Sequence, residues 1–206
     1  MKKKLYFGRL KSRKLSKLKE INFRLLVKKQ NINNINQNLP SILEIGMGMG
    51  ENLIFLAKKN KNTNIVGVDP FKNGMANVAD FCLKNNFKNV FLFPYVFEKF
   101  YIKYKNIQFN KIYILFPDPW PKMKHHKRRI INKWFLKKII KILKKKGILY
   151  FSTDSLNYFE NVKMTLKSFD NISLKNVKKI ITIKTKYFLK AEKKGNKINS
   201  LIFHKN

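Results

Sequence analysis

Asp118 stands between Pro117 and Pro119, and Trp120, Lys122, Lys124, Lys127, Arg128 and Arg129 follow it closely. Prolines fix φ and carry no amide hydrogen, so a carboxylate set between two of them is held stiffly. The neighbouring indole offers a flat surface on which a base can stack, and the cations can meet phosphates. A rigid acid, an aromatic ring and a cluster of bases in one segment are equipment for acting on a nucleic-acid base. The adjacent His125 and His126 lack a nearby acid in the sequence, a poor arrangement for ligating a metal, so no metal is expected.

A second constellation is Glu44-Ile-Gly46-Met-Gly48-Met-Gly50. Alternate glycines let a backbone turn sharply and come close to a ligand. The spacing is G-x-G-x-G, not the G-x-G-x-x-G of dinucleotide sites, and Glu51 falls where a third small residue belongs. A carboxylate in the first turn of the following helix also disfavours phosphate. A cationic ligand without phosphate fits better. Glu44 ahead of the glycines and Asp69 at the end of the next apolar run suit S-adenosylmethionine, with Asp69 accepting from the ribose hydroxyls.

These residues need a frame, and the apolar pattern supplies it. Ser41–Ile45, Asn64–Val68, Val90–Phe93, Ile112–Phe116 and Ile148–Phe151 read as buried strands, and helical spacing recurs over 51–60, 72–86, 97–105, 130–145 and 156–168. In the stretch 130–145, Ile130, Ile131, Trp134, Phe135, Ile139, Ile142 and Leu143 make one apolar stripe. Ile180–Ile183 and Ser200–His204 offer two more strands around a polar loop. The pattern predicts an α/β fold with a mostly parallel seven-stranded sheet and helices on both faces. Ligands of such folds sit beyond the carboxyl ends of the strands. Four of the 11 acids, Glu44, Asp69, Asp118 and Asp154, fall in or just after strands at that edge. Residues 1–38 read as a basic arm packed only in places, and 39–206 as a single domain.

The 206 residues carry 46 Lys and Arg against 11 Asp and Glu, a net charge of +35, with 14% aromatics. The aromatics and regular apolar runs exclude a disordered tail. Lys, Asn and Ile together make 89 of the residues, a biased alphabet that inflates the charge without any partner. A field this positive still favours a polyanion. One cysteine, Cys82, excludes a disulfide framework, and no apolar run is long enough to span a membrane. The N-terminus lacks the apolar stretch of a signal peptide, so a reducing, cytoplasmic setting is expected.

The chain resembles the bacterial tRNA (guanine-N7-)-methyltransferases, a family of class I methyltransferases. The resemblance rests on Leu43–Gly50, Gly67-Val-Asp69, Phe116–Lys122 with His125–Arg129, Ser152-Thr-Asp154, Thr185-Lys-Tyr187 and Leu201-Ile-Phe203, with Tyr6-Phe-Gly-Arg9 also similar. It implies a Rossmann-like class I methyltransferase sheet and methyl transfer from S-adenosylmethionine to N7 of the variable-loop guanine of tRNA; a monomer or homodimer is expected. Glu44, Gly46, Gly48, Gly50, Asp69, Val96 and Asp118 would be on the cofactor side, and Asp118 the catalytic residue. Lys122, Arg128, Arg129, Asp154, Thr185 and Lys186 would meet the substrate. The family usually has an acid where Val96 stands, with Glu98 two residues on. It also usually has glutamate at Phe188 and an acid at Ser200. Without the glutamate, guanine selection is expected to lean on Asp154, and Phe188→Glu to be neutral or mildly helpful. Two other readings stand beside this one: an exocyclic-amino nucleic-acid methyltransferase, from Asp118-Pro-Trp120, and a non-catalytic RNA-binding protein, from Val96 and Phe188.

Overall fold

Apolar runs and amphipathic stretches alternate in the folded chain as they do in the sequence. The computed structural model describes Gly8, Leu10 and residues 14–177 and 183–206. Among these are seven strands of one mostly parallel sheet, with helices between them. The chain divides into two compact units, 1–107 and 108–206.

In the first unit, β1 (Ser41–Ile45), β2 (Asn64–Val68) and β3 (Val90–Phe93) match the expected strands residue for residue. They are joined through α2 (Glu51–Lys59) and α3 (Lys72–Lys84), and α4 (Phe97–Tyr104) follows β3. β1 lies parallel to β2 with Glu44 opposite Gly67, and β2 parallel to β3 with Val68 opposite Phe93. The carboxyl ends of all three therefore face one way. Leu43, Ile65, Val66, Met75 and Phe100 fill the core at zero exposure; burying each such side chain stabilises by about 1.5–3 kcal/mol.

The basic arm, read as packed only in places, contains a helix, α1 (Lys17–Lys29). Ser16 caps it by accepting from Lys19 N, and α1 packs on α3. There Asn22 donates to Asp80 at 2.8 Å, and Lys84 bonds the other oxygen at 3.0 Å. The Lys84 bond is the main reason the Asp80 carboxyl is held below its usual range. The Tyr6–Arg9 segment, apart from Gly8, lies outside the described residues.

In the second unit, β4 (Phe109–Leu115) runs parallel to β5 (Leu143–Thr153), with Leu115 opposite Ser152. β7 (Asn199–Lys205) is antiparallel to β5, and β6 (Ile172–Val177) is antiparallel to β7. The helices are α5 (Lys133–Ile142), α6 (Leu156–Lys167) and α7 (Lys186–Lys193). Three expectations change here. α5 starts later than the periodicity implied, because Asn132 caps it through Phe135 N, and Trp134 is 53% exposed rather than in the stripe. Its carboxyl end runs straight into β5, where Lys205 Nζ takes the carbonyls of Ile140 and Leu143. The β6 strand sits at 172–177, where half-buried Ile172 and Leu174 alternate with exposed Ser173 and Lys175. Of the expected strand Ile180–Ile183, Ile183 lies in a bend and the rest outside the described residues. The polar segment before β7 contains α7, capped by Thr185.

Candidate active site

In the first unit the chain leaves β1 and makes the turn Gly46–Gly50 with all three glycines left-handed, at φ 75, 56 and 83°. Side chains rarely adopt that region, and a Cβ at Gly50 would also strike Val78 Cγ2. Around Gly46 nothing lies within 4 Å of the missing Cβ, so that part of the loop borders open space. Asp69, 5% exposed at the end of β2, closes the turn. Its Oδ2 accepts from Gly48 N at 2.9 Å and its Oδ1 from Phe71 N at 2.8 Å.

Glu44 is 3% exposed, and its Oε2 has no hydrogen-bond partner. Burial pushes its carboxyl up to about 8, and the charges of Asp69 and Glu51 push the same way. The nearby Asn52 amide opposes the shift, but Asn52 Nδ2 makes no hydrogen bond of good geometry. An unsatisfied buried acid beside a bare glycine turn is costly for the fold alone. It suits a cationic ligand that brings donors of its own. Val96 is the half-buried residue before α4, just past the end of β3, and Glu98 sits in that helix's first turn.

In the second unit, Asp118 follows β4 and Asp154 follows β5, the adjacent parallel strand. Phe116, read as the last residue of a strand, opens the loop instead: its φ is +49°, while its N–H still donates to Ser152 O at 2.8 Å. Trp120 is also left-handed, at +43°. Two such non-glycine residues cost about 1–2 kcal/mol each. The Asp118 side chain reaches the surface, yet neighbouring atoms desolvate its carboxyl enough to raise its pKa.

The basic residues around this loop divide. Lys122, Lys124 and Lys127 are exposed. The Arg128 guanidinium lies 4.9 Å from the Trp120 ring centroid, and His125 meets the same ring edge-on. Arg129 is only 6% exposed and points inward, contrary to its reading as a phosphate contact. Its Nε donates to Pro119 O at 2.7 Å and its Nη2 to Asn157 Oδ1 at 2.8 Å.

Asp154 Oδ2 accepts from Asn196 at 3.0 Å, in the turn after α7. Thr185 is buried, and its hydroxyl caps α7 by accepting from Phe188 N, while Lys186 is exposed. Phe188 is 4% exposed and packs with Leu115, against Phe116 and Ile198. It fills space beneath the Asp118 loop, so Phe188→Glu would bury a carboxylate there and destabilise the protein instead of giving the mild benefit expected from the sequence. Ser200, named as a departure from the family's usual acid, is buried with its hydroxyl 2.8 Å from that of Ser152. Asn157, Asn196 and Tyr158 were not singled out from the sequence. Only the positive φ of Gly195 marks the turn that carries Asn196.

Among the described residues, no group of three or more His, Cys, Asp and Glu is placed to hold a metal ion, and no helix is long and apolar enough to cross a membrane.

A family model described as "Putative methyltransferase" matches residues 38–201. The tRNA (guanine-N(7)-)-methyltransferase of Buchnera aphidicola subsp. Baizongia pistaciae is 37% identical over 179 residues, covering 82% of this chain and 71% of its own. A bifunctional methyltransferase of Rickettsia bellii is 39% identical over 148 residues, 72% of this chain but 27% of the relative. The chain thus spans about a quarter of that curated relative's length. Among solved structures, an rRNA methylase of Streptococcus thermophilus superposes with a TM-score of 0.58 at 12% identity, covering 90% of this chain and 94% of its own. A Streptococcus mutans methyltransferase in complex with SAH gives 0.56 at 12% identity, covering 94% and 100%. At such identities the structural likeness speaks for the fold.

Proposed function

The chain belongs to the methyltransferase family that includes tRNA (guanine-N7-)-methyltransferases, and we propose that it methylates N7 of a guanine in tRNA, at the variable loop, using S-adenosylmethionine in the cytoplasm. The observation that carries the reading is Asp118, held between prolines beyond β4, with Asp154 beyond the adjacent strand.

The first unit fits the cofactor. Glu44 Oε2 is an orphaned buried acceptor, and the glycine turn leaves space where a Cβ would stand. Glu44 would take the cofactor's positive amino-acid end, Gly46, Gly48 and Gly50 would admit it to the backbone, and Asp69 would accept from its ribose hydroxyls. Val96 would contribute apolar contact near the adenine. When bound, the cofactor supplies an electrophilic methyl group on a sulfonium.

Guanine N7 has an in-plane lone pair and no proton, so the reaction needs no obligatory base. It needs alignment, and a negative charge to offset the positive charge growing on the purine. Asp118 supplies that charge, while Asp118 and Asp154 accept from the guanine N1–H and amino group. Lys122, Lys124, Lys127 and Arg128 give the RNA backbone its cations, as does Lys186 at the start of α7.

Incubating the protein with labelled cofactor and unmodified tRNA, then digesting to nucleosides, tests this. Label in 7-methylguanosine from the variable loop is the expected result. Label on an exocyclic amino group would move the protein to the other methyltransferase class. RNA binding without any cofactor binding would make it a non-catalytic binder.

A further inference from the structure

Arg129 belongs to a basic run that reads as a surface, yet the fold takes it out of solvent. Its guanidinium has three fixed neighbours in the same unit: Pro119 O at 2.7 Å, Asn157 Oδ1 at 2.8 Å, and the Tyr158 ring, whose centroid is 4.7 Å away. Tyr158 is itself buried, and its hydroxyl accepts from Ile131 N at 3.0 Å, just past the basic run. Asn157 and Tyr158 both stand in the first turn of α6.

What Arg129 grips is the carbonyl of the residue that follows Asp118. Across 117–121, only Asp118 and Trp120 have amide hydrogens, because the other three residues are prolines. Such a segment has few backbone donors with which to hold itself. The peptide between Pro119 and Trp120 leads into a left-handed residue, a conformation that persists only when its surroundings impose it. A planar fork aimed at one carbonyl and one amide oxygen imposes it, and an ammonium of similar charge cannot reproduce that pair of directions.

We propose that Arg129 is a positioning residue: held by Asn157 and Tyr158, it fixes the Pro119 carbonyl and so sets the direction of the Asp118 carboxylate for methyl transfer. The inference rests on the methyl-transfer reading of Asp118.

Two variants test it, Arg129→Lys, which keeps the charge, and Asn157→Ala, at an exposed position that leaves Arg129 in place. Arg129→Lys is expected to lower kcat by about tenfold or more, the scale of a slightly misplaced catalytic group. The KM for tRNA and the Kd for S-adenosylmethionine should stay within about twofold. Asn157→Ala should lower kcat in the same direction by less, and the double variant should be no worse than Arg129→Lys alone, since both act through one carbonyl. A phosphate-contacting arginine would give the opposite pattern: kcat kept, KM for tRNA raised, and the salt dependence of binding weakened. That result, or unchanged kcat in Arg129→Lys while Asp118→Asn is inactive, would overturn the inference and leave the proposed function standing.

A second measurement does not depend on turnover. With Trp134→Phe, Trp120 is the remaining tryptophan, and acrylamide should quench it more strongly once Arg129→Lys or Asn157→Ala releases the loop. If the wild type transfers no methyl group, the proposed function fails, and the quenching alone decides whether Arg129 holds the loop; unchanged quenching in both variants refutes it. Should Arg129→Lys not fold, Asn157→Ala carries both measurements.

Discussion

Two loops beyond strand ends carry the candidate chemistry, and they are built in opposite ways. The turn after β1 reaches left-handed backbone through glycines at 46, 48 and 50, while the loop after β4 reaches it through Phe116 and Trp120. The first avoids side chains so that a ligand can approach the backbone. The second accepts strain and prolines so that one side chain, Asp118, is carried rigidly outward. Their fastenings differ accordingly. Asp69 closes the glycine turn through a backbone amide, whereas Arg129, Ser152 and the packing of Phe188 hold the proline loop from outside. The glycine turn is crowded at Gly50 but open at Gly46, whereas the proline loop tolerates little loss of support.

The sharpest way to break the second half of that contrast is Phe188→Glu. Removing a buried phenyl ring and placing a carboxylate in its site should destabilise the protein by about 3–5 kcal/mol. Urea unfolding measures it, and a variant as stable as wild type would mean the ring does not support the loop. Asp118→Asn keeps the loop's shape and removes its charge. Turnover should fall by about a hundredfold with cofactor affinity little changed. Single-turnover kinetics beside calorimetric cofactor binding separate the two, and equal losses in both would assign Asp118 to holding the cofactor alone.

The glycine turn is tested by a pair. At Gly74 of α3 a Cβ would fall on the Gly48 carbonyl oxygen, whereas at Gly46 it would meet nothing. Gly74→Ala should cost about 2–3 kcal/mol and most of the cofactor affinity. Gly46→Ala should cost about 1 kcal/mol, from the left-handed backbone alone. Equal effects would show that crowding does not shape the turn.

The last test is a pH dependence. The Glu44 carboxyl is raised from 4.5 to about 8 by burial, so between those values the folded state keeps a proton that the unfolded chain has released. Its contribution to stability is therefore lost as pH rises through that window. The cofactor-free protein should lose Tm steadily between pH 5 and pH 8 relative to Glu44→Gln, and a positively charged cofactor should reverse the loss. Parallel Tm curves for the two proteins would place Glu44 in contact with water.

The frame of the first unit was legible because β1, β2 and β3 are short continuous apolar runs bounded by turn residues, a pattern that buried parallel strands share. The acids at strand ends could be named for the same reason. α1 stayed hidden in a stretch read as a basic arm: Leu18, Ile21 and Leu25 stand at helical spacing but face solvent, and only Leu26 of the helix is fully buried. α7 shows as little, with Phe188 and Ala191 its buried residues. Arg129 was misplaced because a run of bases reads as surface, and its partner Asn157 is 28 residues away. Phe188 likewise has its meaning in Leu115 and Phe116, which no local pattern connects to it.

The packing of Phe188 also decides which substitutions can be made together. A glutamate at that position would need a polar surrounding, whereas here the ring has Leu115, Tyr113, Phe116 and Ile198 about it. An acid becomes acceptable there only after some of those apolar neighbours have changed first. Substitutions here have an order, and the exchange to glutamate made alone is deleterious.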